Sequence, residues 1–395
     1  MIDPASASRN GSPTAWRRVA FAMFGVGYAA NHFASMLLVY RARLGLSPTQ
    51  LYGLFGAYAL GLVPGRLLGG PASDRYGRRK LFVPGCLLSM AGCGVLSLGP
   101  LVPPALLLGR LMVGAATGIV ASAGSAWIGE LAGPAYKAVA ARRATVALSA
   151  GFGLGPLCSG LLAQWGPAPM LAPYAVPLSF IGLALLELRT VPDTSARSVT
   201  RGPLLRLSMP AEARRPFFRE LVPMAPWVFA YPSIAAVVVP GALREHVASW
   251  AIAYGGAVAC TSLGAGVLVQ PLTRRLAGLS AGVVGLGVGT LGLGCAVVAV
   301  SGGAASLAFP AAALMGVGYG LGMTAGLRRI TELSPPDRLG GLTGIYFALT
   351  YVGFAAPLLI ALADRAFEPV SVLCACTGLS LASTLWIAAV WRRGA

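Results

Sequence analysis

The chain has 395 residues, of which 56% are apolar and only 11% charged, with a mean hydropathy of +0.74. That leaves too little polar surface to clothe a soluble globule of this size, so the implied solvent is a bilayer. A formal net charge of +18 would suit nucleic acid only if the basic residues gathered on one stripe, and here they are dealt out in small groups between apolar runs.

The N-terminal stretch up to Trp16 is polar and carries no cleavable signal pattern, because the first apolar run has full spanning length and reads as a retained helix. Apolar runs then recur near residues 18 to 39, 48 to 72, 80 to 99, 104 to 129, 139 to 164, 170 to 188, 219 to 241, 247 to 270, 278 to 300, 304 to 327, 338 to 362 and 368 to 391. Each approaches the ~20 apolar residues that cross a ~30 Å hydrocarbon layer, which predicts an all-α protein of twelve transmembrane helices. The one long connection, 189–218, is rich in Arg, Pro and Ser. It divides a six-helix half at 18–188 from a second at 219–391, with tails at 1–17 and 392–395.

Lys and Arg are retained on the cytoplasmic side during insertion. With both termini inside, the cytoplasmic segments hold 24 basic residues against 4 outside (Arg41, Arg43, Arg244 and Arg365), which predicts that orientation in a cell membrane. The seven cysteines, Cys86, Cys93, Cys158, Cys260, Cys295, Cys374 and Cys376, all lie in apolar runs without metal-ligand spacing, and read as packing residues. No metal or other cofactor is expected.

Polar residues inside spans are expensive, so each is a candidate for function. In the first span Tyr28, Asn31 and His32 share one helix face, and His32 is the imidazole placed to change charge near neutral pH, or else a helix-packing hydrogen bond. Arg66, eight residues before Asp74, sits about 12 Å from the end of the second span, where it faces a pore or snorkels inward. Next comes the hairpin Gly70-Pro-Ala-Ser-Asp74-Arg75-Tyr76-Gly77-Arg78-Arg79-Lys80, five charges in a tight turn between two spans. Arg110 opens the pattern Arg110-x-x-x-Gly114-x-x-x-Gly118, with a snorkelling arginine on a glycine seam as its plain alternative. Glu130, at the inner end of the fourth span, is expected to pair with Lys137, Arg142 or Arg143. The fifth span carries Gly151-x-x-x-Gly155-Pro156-x-x-x-Gly160, a second glycine seam with a bend-inducing proline.

The hairpin form G-x-x-x-D-R-x-G-R-R-K resembles the signature loop between helices 2 and 3 of the major facilitator superfamily. The Arg110 pattern resembles the helix-4 motif of its proton-coupled members. The fifth span resembles the antiporter motif G-x-x-x-G-P-x-x-G-G, except that Ser159 replaces the first glycine of the closing pair. The resemblance covers residues 16 to 391 and implies two parallel six-helix halves with substrate held near the midplane. A faint internal repeat, Pro71 to Gly77 against Pro271 to Ala277, agrees with two copies, the second lacking the acid.

What the resemblance implies for the site follows motif by motif. Asp74 faces the N-terminal end of helix 11 near Leu339-Gly340-Gly341, and Gly70, Arg75, Gly77, Arg78 and Arg79 complete a cytoplasmic gate. Arg110 is tied to proton or substrate handling. No acid falls at mid-membrane, so His32 or Glu130 must carry the proton if coupling is real. Helices 1, 4, 7 and 10 line the cavity, which nominates Tyr28, Asn31, Arg66, Trp227, Tyr231 and Tyr319. Few charges and many aromatics suit an amphipathic organic molecule better than a sugar. The expected function is export of such a compound, a drug or natural product, in exchange for protons by a monomer among membrane lipids. Uptake of a nutrient or metabolite is the alternative. A polytopic enzyme or sensor is the remote one, since no clustered acids, His pair or nucleophile with its base appears; the lack of a phosphate loop argues against ATP as the energy source.

Overall fold

Backbone polar groups that enter a hydrocarbon layer must be satisfied within the protein, which favours helices for long apolar runs. The computed structural model describes residues 14–194, 209–276, 278–335 and 338–394, and regular structure among them is helical throughout. In chain order the helices are α1 (Ala15–Asn31), α2 (Phe33–Leu44), α3 (Pro48–Tyr76), α4 (Arg78–Ser97), α5 (Pro104–Ala132), α6 (Lys137–Trp165), α7 (Ala172–Glu187) and α8 (Ala211–Pro216). They continue with α9 (Trp227–Ser233), α10 (Val239–Leu243), α11 (Ala251–Val269), α12 (Gly278–Ser301), α13 (Ala308–Leu333), α14 (Leu339–Tyr351), α15 (Ala356–Ala363) and α16 (Pro369–Gly394).

Eleven segments among the described residues are long and apolar enough to cross a membrane, and the seventh, Trp227–Thr273, has 47 residues. At about 1.5 Å per residue that is more than twice the hydrocarbon thickness. Its backbone leaves helical geometry at Val247 (φ −125°, ψ 22°) and again at Trp250 (φ −142°, ψ 23°), so it makes two crossings, which brings the crossings among the described residues to twelve.

Some spans depart from the simple rods that the apolar runs suggest. The first runs from Ala15 to Leu44 rather than 18 to 39, and α1 and α2 join at His32, whose own dihedrals (φ −53°, ψ −27°) stay helical, so the span continues through it. In the seventh, a π turn at Ile234–Val238 separates α9 from α10, and the N–H of Val239 reaches back five residues to the Ile234 carbonyl. Pro240 follows immediately, and having no N–H it cannot extend the ordinary four-residue ladder. The eleventh tightens to a 3-10 turn at Val352–Ala355 ahead of Pro357.

The chain forms two compact units. Unit 1 takes residues up to 30, 60–151 and 174–205; unit 2 takes 31–59, 152–173 and 206–395. The division does not follow the two sequence halves, because 31–59 and 152–173 cluster with the later residues. Lipid offers no hydrophobic drive for helix pairing, so each unit relies on close packing of small residues. In unit 1, Gly65 and Gly69 of α3 lie on α5 so tightly that an added Cβ would stand 3.0 Å from Ala115 Cα and 2.8 Å from Ile119 Cα. In unit 2, a Cβ on Gly318 of α13 would stand 2.9 Å from Gly289 Cα of α12, and one on Gly316 3.0 Å from Ser262 Cα of α11.

Candidate functional site

The charged hairpin belongs to unit 1, and its turn depends on Gly77, whose φ of 113° is rarely open to a residue with a side chain. The Asp193 carboxylate caps α4 there, accepting the N–H groups of Arg78 at 3.1 Å and Arg79 at 3.4 Å. An anion at a helix N-terminus meets both unsatisfied donors and the positive end of the helix dipole. Arg78 is the hub of the site, only 8% exposed. Its guanidinium donates to Ser73 Oγ at 2.6 Å and to Glu130 Oε1 at 2.7 and 3.0 Å, and pairs with Asp74 one turn earlier. The second oxygen of Glu130 accepts the Thr194 hydroxyl at 2.6 Å. Arg79 is spent on the carbonyls of Arg189 and Val191, and Trp127 Nε1 donates to the Pro192 carbonyl at 3.0 Å.

The expected partners of Glu130 are therefore corrected. Its cation is Arg78 of the hairpin, because the first turn of α4 ends directly against the last turn of α5. Arg143 instead stacks over Trp16, 3.9 Å from the ring centre, while the Lys137 side chain lies outside the described residues. Arg75 is exposed and lies over the Tyr76 ring at 5.5 Å, and Gly70 gives its carbonyl to Ser73 Oγ at 2.8 Å. The second copy of the hairpin cannot be compared in the same way, since Ala277 and the side chains of Arg274 and Arg275 lie outside the described residues.

Deeper in unit 1, Arg110 is 1% exposed and donates to the Ala30 carbonyl at 3.0 Å. This is a desolvated cation answered by a backbone oxygen, not an arginine snorkelling to the interface. Ala30 stands one residue before the end of α1. Tyr28 is buried edge-on to Phe180 with ring centres 5.7 Å apart. Arg66 is half-buried, and its carbonyl accepts the Ser122 hydroxyl at 3.1 Å.

In unit 2 the end of the first span is stitched to the fifth, α6, around Pro156. A proline in a helix leaves the carbonyl four residues earlier without its donor, here that of Phe152. Asn31 Nδ2 supplies a long bond to it at 3.4 Å. Ser35 Oγ donates to the Pro156 carbonyl at 2.6 Å, and Ser159 Oγ donates to the His32 carbonyl at 2.8 Å. Ser159 is the residue that departs from the antiporter pattern, and it makes a buried bond that glycine cannot. Gly155 is buried in the same seam. Against its other side lies α11: a Cβ on Gly160 would stand 3.0 Å from the Ile252 carbonyl, and one on Gly256 would strike the Pro156 carbonyl. Farther along, Gln164 donates to the Ser249 carbonyl and accepts the Ile252 N–H, both at 3.1 Å. Gly151, by contrast, belongs to unit 1, where a Cβ would meet Tyr28 N at 2.7 Å.

The aromatic candidates separate into two groups. Tyr231 is buried with its hydroxyl on the Leu286 carbonyl at 3.1 Å and Ser380 Oγ at 2.7 Å, and Thr290 joins Ser380 at 2.7 Å. Trp227 stacks on Tyr231 and donates to Ser383 Oγ at 3.0 Å. Both polar groups are thus committed to α12 and α16. Tyr319 instead joins Phe229, Tyr351 and Phe354, with Phe229 stacked on Phe354 at 4.8 Å. Phe55 and Tyr58 of α3 close on Phe354 at 5.9 and 5.7 Å. The sequence places Phe229 among the aromatic residues of the seventh span without marking it as the hub of this cluster, and sequence reading did not point to Ser35 or Gly256. Ser35 could have been found, since it lies four and three residues after Asn31 and His32 on their helix face. Gly256 had no such signal among 53 glycines.

The Major Facilitator Superfamily pattern matches residues 19–357. The chain belongs to this superfamily. It is a multi-pass membrane protein, and solved members share its fold across nearly their whole length. The peptide transporter POT in complex with sulfate superposes with a TM-score of 0.80 at 15% identity, covering 100% of this chain and 99% of that one. The partially occluded, inward-open xylose transporter XylE from E. coli gives 0.70 at 15% identity, covering 95% and 98%. In sequence, the mouse (Mus musculus) solute carrier family 2, facilitated glucose transporter member 10, is 31% identical over 166 residues, 41% of this chain and 30% of its own length. The 3-(3-hydroxy-phenyl)propionate transporter of Escherichia coli (strain K12) is 36% identical over 98 residues, 24% of this chain and 23% of its own. The chain thus spans less than a third of the length of either curated relative it matches.

Proposed function

We propose that this superfamily member is a secondary transporter that exports a small amphipathic organic compound in exchange for protons, its termini and its charged hairpin on the cytoplasmic side. The observation that carries the export reading is the seam around Pro156. Gly160 and Gly256 bring α6 onto α11 at backbone contact, and the hydroxyls of Ser35 and Ser159 fasten the same turn of α6 to the first span. A joint of that kind between the fifth and eighth spans resists leak and suits obligatory exchange. The Asp74–Arg78–Glu130 group supports a cytoplasmic gate, and the buried Arg110 supports a role in coupling. Phe229, Tyr319, Tyr351 and Phe354 offer four aromatic faces with only two phenol hydroxyls among them, which suits an amphipathic aromatic substrate better than a polyhydroxylated one.

Uptake is the second reading, favoured by the curated relatives, which are named for glucose and for a hydroxyphenyl acid. The test is accumulation of amphipathic dyes and antibiotics, alongside glucose and hydroxyphenylpropionate, in sealed inside-out vesicles with and without an imposed proton gradient. Gradient-driven filling with a dye or antibiotic supports export. Filling of right-side-out vesicles alone, with either nutrient, replaces it with uptake.

A further inference from the structure

A groove of about 940 Å³ opens on unit 1 where the last two residues of the charged hairpin, Arg79 and Lys80, meet the chain that follows α7. Its mouth carries Arg79, Lys80 and Arg189, three cations against the single carboxylate of Asp193. That carboxylate is already engaged by two N–H groups of α4. Lys80 and Arg189 are exposed and make no ion pair among the described residues. Below the mouth the wall is aliphatic, with Val83 and Leu87 from α4, Leu185 from α7 and Leu188 from the 3-10 turn that follows it. Arg79, Val83 and Leu87 fall four residues apart on one stripe of α4, which carries the groove from its charged mouth about 12 Å along the helix.

We propose that this groove holds one anionic diacyl phospholipid, its phosphate at Lys80 and Arg189 and an acyl chain along Val83, Leu87 and Leu185. The argument is complementarity of charge and of polarity along one axis. A free phosphate would use the mouth and leave the apolar wall empty. A zwitterionic lipid would use the wall but carry its own cation into a mouth that already holds a net positive charge. Interfacial Lys and Arg are each worth about 1 kcal/mol toward anionic lipid, close to fivefold in affinity. The inference does not depend on the direction of transport or on its substrate.

Native mass spectrometry of the full-length protein in an uncharged detergent tests it, with dioleoyl-phosphatidylglycerol and dioleoyl-phosphatidylcholine as competing probes. One phosphatidylglycerol should be retained in preference. Neutralising both exposed cations, Lys80→Gln with Arg189→Gln, should weaken its retention about 25-fold. Leu87→Trp, at a position already 46% exposed, should block the groove without changing charge and weaken retention as well. Millimolar glycerol phosphate should not displace the lipid. Equal retention of the two lipids, or undiminished phosphatidylglycerol binding in both variants, overturns the proposal, and displacement by glycerol phosphate reassigns the mouth to a soluble anion.

Discussion

The seam at Pro156 yields a test in which one substitution, made twice on one helix, should change sign. Gly256 and Gly264 both lie within α11. A Cβ at Gly256 would strike the Pro156 carbonyl and stand 3.0 Å from Ser35 Oγ, whereas one at Gly264 would meet nothing within 4 Å. Replacing glycine by alanine inside a helix gains about 0.5 to 1 kcal/mol, because alanine has less backbone freedom to lose. At Gly264 that gain stands alone. At Gly256 it is opposed by overpacking worth roughly 1 to 3 kcal/mol, and the obstacle is backbone that no rotamer change can relieve. Gly264→Ala should therefore unfold later than the parent protein in detergent, and Gly256→Ala earlier, with a gap on the order of 1 to 3 kcal/mol between them. Thermal unfolding followed by near-ultraviolet circular dichroism reads both. Equal midpoints for the two variants would refute close contact between α6 and α11, and with it the joint on which the export reading rests.

Three further outcomes follow from the charged groups. Arg78→Ala leaves Asp74 and Glu130 without their shared cation, and should cost about 2 kcal/mol in thermal unfolding, between the values for exposed and buried pairs; Arg78→Lys should recover only part of that, because a single ammonium cannot fork between Glu130 and Ser73. Arg110→Ala should abolish gradient-driven transport while leaving the amount of inserted protein unchanged, and undiminished transport by the well-expressed variant would remove Arg110 from the coupling step. Asp364, just beyond α15, has Oδ1 buried with no hydrogen-bond donor among the described residues, and burial raises its carboxyl above the usual value. The folded state then holds that proton more tightly than the unfolded one, so this carboxyl costs nothing below the ordinary carboxylate range and progressively destabilises the fold as pH rises through the raised value. Asp364→Asn should flatten that part of the stability profile, and an unchanged slope would dismiss the burial argument.

The twelve crossings were legible because length and hydropathy are properties of local sequence, and the bilayer leaves a long apolar run few alternatives. Interruptions were harder to read. Pro240 announces a disturbance of the seventh span, but whether the ladder skips to a π turn depends on packing around Ile234–Val238. The junction of α1 and α2 at His32, where the dihedrals stay helical, has no proline or glycine to mark it. Of the site, the hairpin motif located Arg78 and Asp74, but the choice of Glu130 as a second partner of Arg78 is a long-range contact that no spacing encodes. Tyr231 shows the limit of assigning roles by helix number. Its position on the seventh span suggested a cavity wall, while the hydroxyl is bound by Ser380 and Leu286.

Sparse polar side chains in the spans of this chain repeatedly answer backbone carbonyls, and that complicates any reading of them as coupling residues alone. Asn31 is the clearest case, because its acceptor exists only through Pro156. With proline at 156 the Phe152 carbonyl lacks its helical N–H, and Asn31 bonds it at 3.4 Å. With alanine there, the N–H returns and the carbonyl no longer needs a side chain. The energies are small, since hydrogen bonds between membrane helices average about 0.6 kcal/mol and this one is long. A double-mutant cycle can still resolve them by sign. Asn31→Ala should destabilise the parent protein but leave Pro156→Ala nearly unaffected, giving a coupling of about half a kcal/mol. If Asn31→Ala costs the same in both backgrounds, Asn31 does not answer the gap left by proline. Its cost would then belong to another contact, and a loss of transport in Asn31→Ala could be assigned to the substrate path instead of to the seam.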